Sequence, residues 1–175
     1  FEEWKAAVAL NHIQSFNFVY ANRQGDIHFI HNARMPNRAA GWDWQAYLPG
    51  DRSDLIWSDY HPVSAMPQVT NPDSGFVHSA NQTPFNISAA GSNPIESEVP
   101  AEGGWQTRMT NRATRGLELF AEFGQIDWDE LWQLKHDNRY SPNYRGMTFI
   151  DAVTSLTPEN EREVQAIRIL SEWDL

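Results

Sequence analysis

Alternation of apolar and polar positions is clearest between Ser15 and Ile30. Phe16, Phe18 and Tyr20 fall on one side of a Ser15–Ala21 segment, and Asp26-Ile27-His28-Phe29-Ile30 alternates again. The turn formers Asn22-Arg23-Gln24-Gly25 lie between the two runs, so the pair reads as a β-hairpin. Two aromatic-faced strands are marginal alone, and a wider sheet is expected. Upstream, Trp4, Ala7, Val8 and Asn11 recur at the three and four spacing of a buried helix face, which predicts a short helix from Glu2 to Leu10.

Periodicity is lost from Asn32 to Pro72. Met35-Pro36-Asn37-Arg38, Gly41-Trp42-Asp43-Trp44, Leu48-Pro49-Gly50 and His61-Pro62 punctuate this stretch. Irregular segments of such length are uncommon in compact domains and usually carry function. Trp42, Trp44, Tyr47, Trp57 and Tyr60 predict that it packs over an apolar surface. The turn at Asn71-Pro72 and Gly75 is followed by Phe76-Val77-His78-Ser79-Ala80, which can run extended, and Gln82-Thr83-Pro84 does not readily prolong a strand. Asn81 is therefore expected at a strand end, where its NH2 group could donate to a ligand or an oxyanion, or simply tie down its own loop.

A second irregular segment, 86–104, precedes a change to helical patterning. Asn111–Phe123 carries Leu117, Phe120 and Ala121 on one face, with Gly124 as a stop. Asp127-Trp128-Asp129-Glu130 has capping-box spacing, opening a helix that reaches about Asn138. Thr157-Pro158 is expected to open a last helix in which Val164, Ile167, Leu170 and Trp173 form an apolar ridge. Arg115 stands near the start of its helix, an end the helix dipole reserves for anions, so it is read either as a binding or orienting group or as half of a surface salt bridge.

The bulk numbers narrow the function classes. The chain has 175 residues, 41% of them hydrophobic, enough for one domain or part of a larger one. A net charge of -10 with dispersed Lys and Arg argues against nucleic-acid binding. With no cysteine, disulfides, thiolate metal sites and a Cys nucleophile are excluded. No run approaches the roughly 20 apolar residues that span a bilayer. His28 and His31, three apart on an extended segment, face opposite ways, which disfavours a shared metal. Asp43, Asp51, Asp54 and Asp59 could offer oxygens to calcium but lack EF-hand spacing, and solvation is the simpler role. No Gly-x-Ser-x-Gly elbow is present, and no carboxylate pair is selected for glycoside chemistry.

Taken in order, the motifs form a pattern. They are Phe18-Val19-Tyr20-Ala21-Asn22-Arg23-Gln24-Gly25-Asp26-Ile27, Met35-Pro36-Asn37-Arg38 before Gly41-Trp42-Asp43, and Leu48-Pro49-Gly50 before Trp57. Asn71-Pro72-x-x-Gly75-Phe76-Val77 with Ala80-Asn81 follows, then Arg112-Ala113-x-Arg115, and finally Leu170-x-x-Trp173-Asp174. Together they resemble the penicillin amidase family of acylases, within the N-terminal nucleophile hydrolases. The resemblance implies an α+β chain belonging to a four-layer αββα fold, with long irregular loops and C-terminal helices. It implies an internal portion of a single catalytic domain: 1–85 helix, hairpin, loop and strand, 86–104 loop, and 105–175 mainly helical.

It further implies an N-terminal Ser nucleophile released by self-cleavage. Phe1 has no nucleophilic group, so that Ser is expected on another segment and this chain alone is expected to be inactive. By motif position Asn81 resembles the oxyanion-binding Asn, and Arg115 the arginine that orients the active-site Asn. No cofactor is expected for the chemistry, although family members often hold a structural calcium, for which the loop near Asp43 is a candidate contributor. The expected partners are the small α-chain, the nucleophile-bearing part of the β-chain and a small N-acyl substrate, such as an N-acyl homoserine lactone or a β-lactam side chain, in a periplasmic or secreted setting. The alternative is a non-catalytic, aromatic-rich binding module on the same scaffold.

Overall fold

A computed structural model describes residues 1–173; Asp174 and Leu175, and with them the end of the Leu170-x-x-Trp173-Asp174 motif, lie outside the described residues. The chain is α+β and divides into two compact units, Phe1–Arg108 and Met109–Leu175.

The first unit is built on a three-stranded antiparallel sheet in the order β1 (Phe16–Ala21), β2 (Ile27–Asn32), β3 (Gln68–Thr70). The predicted hairpin is present. Its turn is held by Asn22, whose Oδ1 accepts from the N–H groups of Gln24 and Asp26 at 3.0 and 2.9 Å. β3, inside the stretch expected to be irregular, supplies the wider sheet: Phe29 faces Val69 and Ile30 faces Gln68. A central strand is covered on both sides, so His28, Phe29 and Ile30 are consecutively buried rather than alternating.

α1 (Glu2–Ala9) lies on one face of the sheet. Trp4 contacts Phe18, Tyr20 and His28 edge-on or tilted, and Trp4 and Val8 cover the core of Ile30, Ala33, Met35 and Met66. Trp4, Val8 and Asn11 are half-buried as predicted, whereas Ala7 is exposed.

Two further expectations for this unit need correction. The aromatic residues expected to pack over an apolar surface are only partly covered: Trp42, Trp44 and Tyr60 are half-buried. Tyr47 is fully exposed and Trp57 is 47% exposed, and four of the rings carry cations: Arg38 lies over Trp44 and Trp57, Arg52 over Trp42 and Arg34 over Tyr60. Nor does Phe76–Ala80 form a strand. Its His78 N–H donates to Ile87 O at 2.9 Å and its Phe76 carbonyl accepts from the Ser88 hydroxyl at 2.8 Å.

The second unit is helical: α2 (Asn111–Phe123), α3 (Trp128–His136), α4 (Met147–Thr154) and α5 (Glu161–Ser171). α2 has the predicted ends, with Thr110 accepting from Ala113 N–H and Gly124 (φ 67°) closing it. Its buried face is Ala113, Gly116 and Leu119; Ala121, expected inside, is exposed. The Asp127–Glu130 capping box is complete, both bonds at 2.9 Å. α4 was not predicted. α5 begins later than Thr157-Pro158, because Asn160 takes the cap by accepting from Glu163 N–H at 3.1 Å. In its predicted ridge Ile167 and Leu170 are half-buried, while Val164 and Trp173 are exposed.

Candidate active site

The sheet face opposite α1 carries a cleft of about 440 Å³ in the first unit. Alternation dictates which strand residues reach it: His31, three positions from His28, points to the other side, and its cross-strand neighbour Asn17 follows. Ser79, Asn81 and Trp105 complete the polar and aromatic lining used below.

Asn81 is not at a strand end. It sits in a bend with φ 57°, the left-handed region that asparagine tolerates better than most residues, and its side chain is exposed at the cleft. The residues after it are buried and bonded. Gln82, 2% exposed, accepts from Ala80 N–H through Oε1 and donates from Nε2 to Asn86 O at 3.0 Å. Thr83 N–H reaches Arg108 O at 3.1 Å. An amide on a backbone clamped on both sides has little freedom left to lose when it meets a ligand.

Across the cleft lining, Asn17 Nδ2 donates to Ser79 Oγ at 3.0 Å, and Asn17 Oδ1 lies 2.7 Å from His31 Nδ1. Burial pushes the His31 imidazole below its usual 6.5, favouring the neutral ring. Trp105 meets His31 edge-on, with ring centroids 5.7 Å apart, and is pinned by its Nε1–H donating to Pro100 O at 2.8 Å. Sequence reasoning overlooked Asn17, His31 as a cleft residue, and Trp105. Alternation carried the signal for the first two: an Asn and a His on the same sheet face, amid aromatic neighbours.

Arg115 has a defined partner within the second unit. Its Nε and Nη2 donate to the two carboxylate oxygens of Asp137 at 3.1 and 3.0 Å, and Glu118 stands 3.8 Å from Nη1. The pair is mostly buried, with side chains 19% and 14% exposed. The hydrogen bond from Arg115 holds Asp137 below the usual carboxylate range.

The carboxylates weighed for calcium do not converge. Asp54 is held by Arg52 through bonds of 2.8 and 2.7 Å, Asp43 accepts from Gln45 N–H, and Asp59 from Tyr60 N–H. Among the described residues no three His, Asp or Glu side chains are grouped to hold a metal ion. Among them, too, no helix is long and apolar enough to cross a membrane.

The mixed helix and antiparallel sheet architecture has the fold of a penicillin acylase. It matches the solved structure of a thermostable penicillin G acylase from Alcaligenes faecalis with a TM-score of 0.65 at 21% identity, over 99% of this chain and 30% of that one. The penicillin amidase family model matches residues 1–175, and the chain belongs to that family. Penicillin G acylase of Escherichia coli is 24% identical over 177 residues, covering 99% of this chain and 19% of the relative. The chain thus spans about a fifth of that relative's length.

Proposed function

We propose that the chain is part of an N-acyl amide hydrolase whose N-terminal Ser is supplied by another segment. The hydroxyl attacks the amide carbonyl, its own α-amino group takes the proton and passes it to the leaving amine, and water then releases the acyl group from the ester. Asn81 Nδ2 donates to the oxyanion of the tetrahedral intermediate. The observation that carries this reading is the clamped, left-handed Asn81 at the rim of a cleft in a chain of this family. The apolar lining at Phe16, Met35 and Trp105 suits an acyl chain, and the substrate is an acylated amine such as an N-acyl homoserine lactone or a β-lactam side chain.

Arg115 is proposed as a positioning residue, fixed on α2 by Asp137. The partners of the chain are the small α-chain and the nucleophile-bearing part of the β-chain, in the periplasm or outside the cell.

Asn81→Ala in the complete processed enzyme tests the assignment. Loss of one oxyanion donor costs about 3 to 4 kcal/mol in the transition state, a fall of hundreds-fold in kcat. The melting midpoint should stay close to that of the parent. Near-parental turnover would refute the role.

A further inference from the structure

We infer that Asn17 is a positioning residue that holds His31 in a single tautomer, so that the cleft offers His31 Nε2 as an acceptor for a substrate N–H alongside the Asn81 donor. The inference rests on the acylase reading and deepens it, because a donor and an acceptor in one cleft are the complement of a secondary amide, with its C=O and its N–H.

The tautomer follows from the partners. An amide carbonyl has lone pairs and no proton, so the 2.7 Å contact between Asn17 Oδ1 and His31 Nδ1 is a hydrogen bond in the tautomer with the proton on Nδ1, which leaves a lone pair on Nε2. Asn17 is oriented in turn by the donation of its Nδ2 to Ser79 Oγ, and Ser79 lies two residues before Asn81. The same amide therefore sets the imidazole and ties β1 to the segment that carries the donor. His31 is fixed through its main chain as well, its N–H donating to Pro67 O at 2.9 Å, and through the edge of Trp105.

Among the described residues, no side chain or carbonyl takes up His31 Nε2. The two groups that meet the ring, Asn17 on β1 and Trp105, are both uncharged. Burial is the influence on its titration, and it favours the neutral ring that keeps the lone pair available. An imidazolium would instead repel a substrate N–H.

The test uses the complete processed enzyme and two substrates of one acyl chain, the 4-nitroanilide, which has an N–H, and the 4-nitrophenyl ester, which has none. His31→Phe is expected to lower kcat/KM for the anilide about tenfold, the value of one hydrogen bond, and to leave the ester within about twofold. Asn17→Ala should show the same bias toward the ester.

Asn17→Asp provides the second readout and keeps the shape of the site. A carboxylate in place of the carbonyl raises the His31 pKa, so anilide turnover should gain a new acid-side ionisation that ester turnover lacks. Equal losses on both substrates, or no loss, with an unshifted pH profile, would overturn the inference while leaving the acylase reading intact. A parent enzyme inert to both substrates would overturn the acylase reading and this inference with it.

Discussion

Replacing Asp137 by alanine removes the partner that Arg115 holds with two hydrogen bonds of 3.1 and 3.0 Å. Exposed ion pairs contribute roughly 0 to 1 kcal/mol, whereas breaking a buried pair costs about 3 to 5 kcal/mol because one charge is stranded. With side chains 19% and 14% exposed, this pair lies toward the buried end. Asp137 also accepts from Arg139 N–H at 3.2 Å, and Glu118, 3.8 Å from Nη1, partly compensates the stranded guanidinium. A loss of about 2 to 3 kcal/mol is therefore expected, confined to the elements the pair joins. Hydrogen exchange measured on peptides covering α2 and α3 in the complete enzyme reads that local opening free energy. Asp137→Asn, which keeps one acceptor, should lose about half as much. Arg115→Ala combined with Asp137→Ala should be less harmful than the sum of the single changes by about 1 kcal/mol or more. The pH dependence has a definite sign. The Asp137 carboxyl titrates lower folded than unfolded, so its contribution is complete above the ordinary carboxylate pKa and is lost as pH falls through the lower, folded value. Unchanged exchange in Asp137→Ala, or strictly additive single changes, would refute the claim that the pair anchors α2.

Two further outcomes can be measured on the same enzyme. A methyl group at Gly103 would lie 2.2 Å from the Trp105 ring, so Gly103→Ala should displace the indole, break its bond to Pro100 O and raise KM several-fold, with a shifted tryptophan emission. His28 is 1% exposed, its Nδ1 is bonded to Thr70 Oγ1 at 2.8 Å and its Nε2 is buried without a hydrogen-bond partner. Burial, assisted by Lys5, pushes its pKa from 6.5 down to about 4. The unfolded chain therefore binds a proton in that interval that the folded chain refuses, and stability should fall as pH drops from about 6.5 toward 4. His28→Gln should flatten that part of the melting-midpoint profile; an unchanged slope would show that another group controls it.

The elements legible in the sequence are those whose hydrogen bonds close within a few residues. Asn22 secures the hairpin turn through Gln24 and Asp26, Asp127 and Glu130 cap each other, and Gly124 ends α2 at a positive φ. Side chain and partner travel together along the chain in each case, so the pattern survives without knowledge of the fold. The same holds for the family motifs, which keep their order whatever the loops between them do. Asn81 is also legible as a polar group just after an apolar run, although the run is no strand and the residue sits in a left-handed bend next to the buried Gln82.

What only the tertiary structure decided are the pairings across long chain separations. β3, three residues long, is too short to show a period, and it is a strand because β2 lies beside it. Arg115 and Asp137 are joined by the packing of α2 and α3, and the indole rings of Trp42, Trp44 and Trp57 in the long loop are matched to arginines. Sequence spacing marks His31 only as a poor metal ligand, because its surroundings are made by Asn17 from the neighbouring strand and by Ser79, brought across from 62 residues beyond Asn17. Residue type determined which groups could donate and accept. Chain closure, with the burial that offsets its entropic cost, determined which of them meet.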